Sequence, residues 1–192
     1  MKFWNKSKLF IVLIIALVGC NDFEDMNVDP NNPSQALPDL LLSASLVSVS
    51  GVIGATTPAM YVQYFAQTQY TDGSTYSTEQ FDFNGWYTGA LMNLQTIINS
   101  ETATPNYKAA ARVLKAYFFH MVTDRWGMVP YTEALKAADN FQPKYDTQET
   151  IYKGLITDVT EAVSQFETTG SLKGDILFGG DVTRWQQFGN TL

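Results

Sequence analysis

The sequence is poor in the residues that most chemistry needs. Its 192 residues include one Cys, Cys20, and one His, His120. A single Cys excludes an intramolecular disulfide and any Cys-rich zinc site. A single His leaves little room for a nucleophile–His–acid triad or a His-based metal centre. None of the 19 acids stands out as a catalytic pair, and the spacing of a helix–loop–helix calcium site is absent. Charged residues make up only 16%, and the surplus is acidic, with a formal charge of −7. Such a surface repels phosphate backbones, so nucleic acid is excluded as a partner. The apolar run over residues 9–18 has ten members. A bilayer-spanning helix needs about 20. What is abundant is aromatic side chains, 12 Phe, 10 Tyr and 4 Trp. Apolar residues make up 45%, enough for a packed core.

The N-terminus reads apart from the rest. Lys2, Lys6 and Lys8 precede the apolar run, which closes on Leu17-Val18-Gly19-Cys20. This is the pattern of a secretory signal, and its end resembles a bacterial lipobox. Residues 1–19 are expected to be a signal peptide and Cys20 a lipidation site. Several acyl chains give a stable anchor, since each buried methylene contributes about 0.8 kcal/mol. Cleavage removes three lysines and no acids, so the formal charge falls from −7 to −10. Asp22, Glu24 and Asp25 resemble the surface-export signal of some outer-membrane lipoproteins, or form a solvated tether. Residues 20–35, with Pro30 and Pro33, read as a lipid-anchored linker.

Residues 36–192 read as all-α. Apolar residues at helical spacing predict helices over 37–53, 57–70 and 86–99. A fourth follows Thr104-Pro105 and ends at Gly127, with Tyr107, Ala110, Ala111, Leu114, Tyr117, Phe118, Met121 and Val122 on one stripe. A fifth is expected to start on a capping box of Asp146 and Glu149, bury Ile151, Tyr152, Leu155, Ile156 and Val159, and stop at Gly170. A sixth starts at Asp181. No stop signal follows its apolar positions, so the chain reads as the N-terminal part of a longer protein. Antiparallel helices of this length suggest stacked hairpins resembling tetratricopeptide repeats.

Three stretches carry a resemblance. Residues 124–134 (DRWGMVPYTEA), 143–152 (PKYDTQETIY) and 180–192 (GDVTRWQQFGNTL, with Gly189 where Ala is usual) occur in the order and spacing of the SusD/RagB family. With the lipobox, the resemblance covers the chain from end to end. It implies the N-terminal portion of a larger SusD-like fold: a cell-surface, lipid-anchored outer-membrane lipoprotein that binds oligosaccharide. Such proteins capture nutrient for a SusC-like TonB-dependent transporter. They are binding proteins rather than enzymes, with no cofactor. A peptide-capturing relative and, less well supported, a lipoprotein glycoside hydrolase are the alternatives.

The candidate ligand contacts are Asp72, Tyr76, Trp86 and Tyr87. Aromatic rings stack on the apolar faces of sugars, and Asp72, Gln80, Asp82 and Asn84 lie near enough in sequence to bond hydroxyls. For Trp86 and Tyr87 the competing reading is core packing at the start of a helix. Tyr76 is either a ligand contact or simply solvated. Residues 124–134 read as a structural corner in which Asp124 and Arg125 satisfy backbone groups or charges. His120 reads as a packed or half-exposed helix residue. No metal site is expected.

Overall fold

The computed structural model describes residues 36–76 and 81–192. The signal peptide, the linker, Cys20 and Gln80 lie outside the described residues. Helix α1 (Pro38–Ile53) begins with Pro in its first turn, where a missing N–H costs nothing. Its apolar composition, with mean hydropathy 1.7 over a window of Pro38–Tyr61, would suit a bilayer. Yet Leu42, Ser45 and Leu46 are buried, and α1 packs on the third helix. Leu40 and Val47 on the opposite face are exposed, as is Ile53 at the C-terminal end.

The second helix is a correction. Residues 57–70 carry a helical pattern, but α2 covers only Thr57–Tyr61. Gln63 takes a φ of 63°, and the N–H groups of Tyr64 and Phe65 both return to Ala59 O, at 2.8 and 3.2 Å. Tyr64, Phe65 and Thr68 of this stripe are exposed, and so short a helix has little stability of its own. Helix α3 spans residues 84–99, starting two residues earlier than expected. It comprises Asn84–Trp86, a π-turn at Tyr87–Leu91 and Met92–Asn99. Gly89, at φ −103° and ψ −107°, marks the irregularity.

Helix α4 (Pro105–Trp126) matches its sequence limits, although the Thr104 side chain makes no capping bond. It is buried on more than the expected stripe: Ala109, Val113, Ala116 and Phe119 are also inside. The reason is its central place, packed against α3 and against both later helices. Strands β1 (Val129–Pro130) and β2 (Tyr145–Asp146) pair antiparallel, Val129 with Asp146 and Pro130 with Tyr145.

Helix α5 (Gln148–Ser164) starts one residue later and stops earlier than its sequence signals. Thr147, not Asp146, caps it, its side chain accepting from Thr150 N. Asp146 instead accepts from Tyr131 N at 3.0 Å and Thr132 N at 2.7 Å, fixing the chain after β1. Desolvation alone would raise the Asp146 carboxyl, but the bonds from Thr132 and Tyr131 outweigh it and hold it below the usual range. Ile151 and Leu155 are buried as expected, whereas Ile156 is exposed. It lines an apolar groove of about 440 Å³ with Tyr152, Leu155 and Val159.

Helix α6 (Val182–Thr191) is capped by Asp181, whose side chain accepts from Thr183 N and Arg184 N. The loop before it binds three helices together. Tyr107 Oη of α4 donates to Lys173 O at 2.9 Å, and Ser43 Oγ of α1 donates to Gly174 O at 2.6 Å. Gly174 has a φ of 74°, and a Cβ there would lie 2.6 Å from Asp39 O, so this docking needs glycine. Asp175 is buried within the loop and bonds Trp185 of α6. The helices therefore pack in the sequence α1–α3–α4–α5–α6, an all-α stack in which each meets the next.

Candidate functional site

The early end of α2 places a run of rings on the surface. Gln63 and Tyr70 have left-handed backbone (φ 63° and 53°), and so does Tyr76 (φ 58°). Between them the chain folds on itself. Gln67 Oε1 accepts from Gly73 N at 3.1 Å, and Thr71 O accepts from Ser74 Oγ and Thr75 Oγ1 at 3.0 and 2.9 Å. Tyr76 closes the loop. Its hydroxyl donates to Tyr61 O at 2.7 Å, and its ring sits 5.9 Å from that of Tyr61.

The outcome is a braced loop whose aromatic side chains face solvent. Tyr64 is 84% exposed, Tyr70 89% and Tyr76 56%. Phe65 is exposed as well. Burying rings is strongly favourable, so several open rings on one short segment make a candidate interaction surface. Asp72 is exposed in the 3₁₀ turn (Thr71–Gly73) of the same loop. Two of the four sequence candidates, Asp72 and Tyr76, thus share one surface.

Trp86 and Tyr87 belong elsewhere. Trp86 packs on Phe118, with centroids 5.5 Å apart, and Tyr87 on Phe119 at 5.8 Å. Both are half-buried. The Tyr87 hydroxyl donates to Pro130 O, joining α3 to β1. Burial pushes the Tyr87 hydroxyl well above its ordinary range, and Tyr145 and Asp146 add to the shift, so it stays a neutral donor. Core packing is the reading that the geometry favours for this pair.

At the corner of residues 124–134, Asp124 and Arg125 each meet other side chains. Asp124 meets His120 Nε2 at 3.2 Å and accepts from the Tyr152 hydroxyl. The Arg125 guanidinium lies 4.5 Å from the Phe81 ring centroid and 4.7 Å from that of Trp126. Trp126 Nε1 donates to Phe81 O at 2.8 Å. Asp82 and Asn84 are exposed beside this cluster, and Asp82 Oδ1 accepts from Asn84 N at 3.0 Å. Among the described residues, no three His, Cys, Asp or Glu side chains converge as metal ligands.

Tyr61, Tyr64, Phe65 and Tyr70 were not among the sequence candidates. Their signal lay in composition rather than period: residues 61–71 (YVQYFAQTQYT) contain no charge, three Gln and four rings. Rings interleaved with amides suit a polar, ring-shaped ligand better than they suit a core.

Comparison with known proteins agrees with the fold. The profile of the SusD-like family, described as starch-binding and associating with the outer membrane, matches residues 30–192. Among solved structures, a chitin-binding protein is 26% identical with a TM-score of 0.68, over 81% of this chain and 37% of its own. A SusD homologue from Bacteroides fragilis is 28% identical with a TM-score of 0.68, over 82% of this chain and 34% of its own. A SusD/RagB protein from Bacteroides thetaiotaomicron, 23% identical with a TM-score of 0.68 over 81% of this chain and 36% of its own, supports the fold alone. No curated protein sequence matches. The chain spans about a third of the length of the solved structures it resembles. With a similar helical stack and the profile matched over most of its length, the chain belongs to the SusD-like family.

Proposed function

We propose that this chain is the N-terminal part of a surface-anchored glycan-capture protein working beside a SusC-like TonB-dependent transporter. The observation that carries the reading is the braced loop of residues 61–76 with its exposed rings. Tyrosine suits this role because its flat apolar face stacks on a sugar while its hydroxyl bonds to sugar or water. The preformed loop reduces the ordering cost of binding. Asp72 and the amides of Gln63, Gln67 and Gln69 are polar groups close in sequence to those rings. The exposed face of α1 that carries Leu40 and Val47 is the surface suited to the transporter. Acylated Cys20 would hold the protein at the outer membrane, facing out.

Calorimetric titration of malto- and chito-oligosaccharides into the full-length protein tests the capture reading. Tyr70→Ala removes a ring that no neighbour covers, so it should weaken binding without unfolding. A stacked ring contributes about 0.5–1.5 kcal/mol, or roughly a two- to tenfold change in Kd. Identical titration curves for Tyr70→Ala and the unaltered protein would remove the loop from the binding site. Turnover of the glycan would instead point to a hydrolase, and none is expected.

The anchor is tested by fractionation. Cys20→Ala should move the protein from the membrane pellet to the soluble fraction, because several acyl chains are lost at once. Tight membrane association of the variant would mean that something other than Cys20 holds it there.

A further inference from the structure

A second concavity, of about 640 Å³, lies where α3, α4, α5 and the chain after β1 meet. It shares no lining residue with the aromatic loop. Gln95, Thr96 and Asn99 of α3 form one wall, and Lys115 of α4 and Asp158 of α5 lie across from them. These groups are arranged in a chain. Gln95 Nε2 donates to Asn99 Oδ1 at 2.9 Å, Lys115 Nζ donates to Gln95 Oε1 at 3.3 Å, and the Tyr131 hydroxyl donates to Asp158 Oδ2 at 3.1 Å.

The Lys115 side chain is only 15% exposed, and its nearest carboxylate oxygen, Asp158 Oδ2, is 3.9 Å away. Burial lowers the pKa of this ammonium, and Asp158 opposes the shift. An ammonium has three donors, and among the described residues one of them meets a protein acceptor within hydrogen-bond distance. Lys115 therefore has donor capacity directed toward the cavity it lines.

The opposite rim is strained. Leu135 and Ala137 both have left-handed backbone, φ 60° and 48°, which residues with a Cβ seldom adopt. Such positions persist only where surrounding bonds hold them, and they cluster at ligand clamps. Asn140 Nδ2 donates to Glu133 O at 3.3 Å, and Lys144 N to Glu133 Oε2 at 3.3 Å. Tyr131 is seated against α5 at Gly154, where a Cβ would lie 2.5 Å from its ring. Glycine inside a helix is otherwise unfavourable, so this close approach gives it a purpose. The pocket is preformed, and its size falls within the range of small-molecule sites.

The charges around it balance, Lys115 and Lys136 against Asp139 and Asp158. An ionic ligand would meet as much repulsion as attraction. A neutral ligand carrying several hydroxyls would meet amides, a hydroxyl, an ammonium and a carboxylate. We propose that this pocket between α3, α4 and the residue 131–139 loop is a second binding site, for a neutral polyhydroxylated ligand the size of one or two sugar rings. The inference stands on the pocket's own chemistry and does not rest on the aromatic loop.

The test is calorimetric titration of the full-length protein with methyl glucoside, N-acetylglucosamine and glucuronate. At least one neutral sugar should bind, with glucuronate at least about tenfold weaker. Gln95→Ala and Asn99→Ala, both at the helix surface, should each weaken the neutral sugar about tenfold. Gly154→Ala, which displaces Tyr131 without touching the amides, should weaken it as well. The proposal is overturned if no neutral sugar gives heat, if glucuronate binds equally well, or if both amide variants bind like the parent. The capture reading fails on a different measurement, the oligosaccharide titration of Tyr70→Ala, so the two cannot be confused.

Discussion

Asp175→Ala should lower the folding stability by about 3–5 kcal/mol. Asp175 is 7% exposed and sits in the loop between α5 and α6. Its Oδ1 accepts from Leu177 N at 2.9 Å and Phe178 N at 3.1 Å. Its Oδ2 accepts from Gly180 N at 2.9 Å and Trp185 Nε1 at 2.8 Å. Four donors thus converge on one carboxylate. Alanine leaves them without a partner, and each buried donor left unpaired costs about 1–3 kcal/mol, less where water reaches it. Asn keeps one acceptor oxygen but turns an NH₂ group toward the other two donors. Asp175→Asn should therefore fall between the parent and Asp175→Ala. Urea denaturation followed by tryptophan fluorescence checks this, since Trp185 is itself a partner. A midpoint for Asp175→Ala equal to the parent's would show that the loop is held by its other contacts alone.

Phe119→Ala should cost about 3–5 kcal/mol, the usual range for emptying an aromatic site in a core. Phe119 is 1% exposed. Its ring meets Tyr87 edge-on at 5.8 Å and Tyr131 edge-on at 5.0 Å. Both tyrosines have lasting partners, Pro130 O for Tyr87 and Asp158 for Tyr131. They cannot collapse into the void without breaking those bonds, so the cavity should persist. Phe119→Leu refills part of the space and should cost less than half as much. The urea midpoint should drop in that order with the denaturant slope unchanged. A loss below about 1 kcal/mol for Phe119→Ala would mean that the neighbouring helices close the gap.

How much of this was legible in sequence depends on how local the deciding force was. The limits of α4 were readable because Pro105 and Gly127 act through their own backbone. Its burial was not, since Ala109, Val113 and Phe119 lie inside only because other helices cover both flanks. Asp146 and Thr147 stand next to each other, and either can cap a helix. Pairing of β1 with β2 placed Asp146 opposite Val129, beside the N–H groups of Tyr131 and Thr132, and left Thr147 to cap α5. The pattern at Met60, Tyr64 and Phe65 satisfied helical spacing, but a stripe becomes a helix face only when something covers it.

The candidate site divides along the same line. Tyr76 and Asp72 were named for their chemistry, and the fold places both on the aromatic loop. Trp86 and Tyr87 had the same chemistry, yet Phe118 and Phe119 claim their rings. Gln95, Asn99, Lys115 and Asp158 carried no motif at all. They become a cluster only through the packing of three helices. The residues alone determined the all-helical class, the family resemblance and the surplus of rings, because spacing, caps and motifs act over a few positions. Which rings stay open and which polar groups meet was decided by tertiary packing, because burial depends on partners that are distant along the chain.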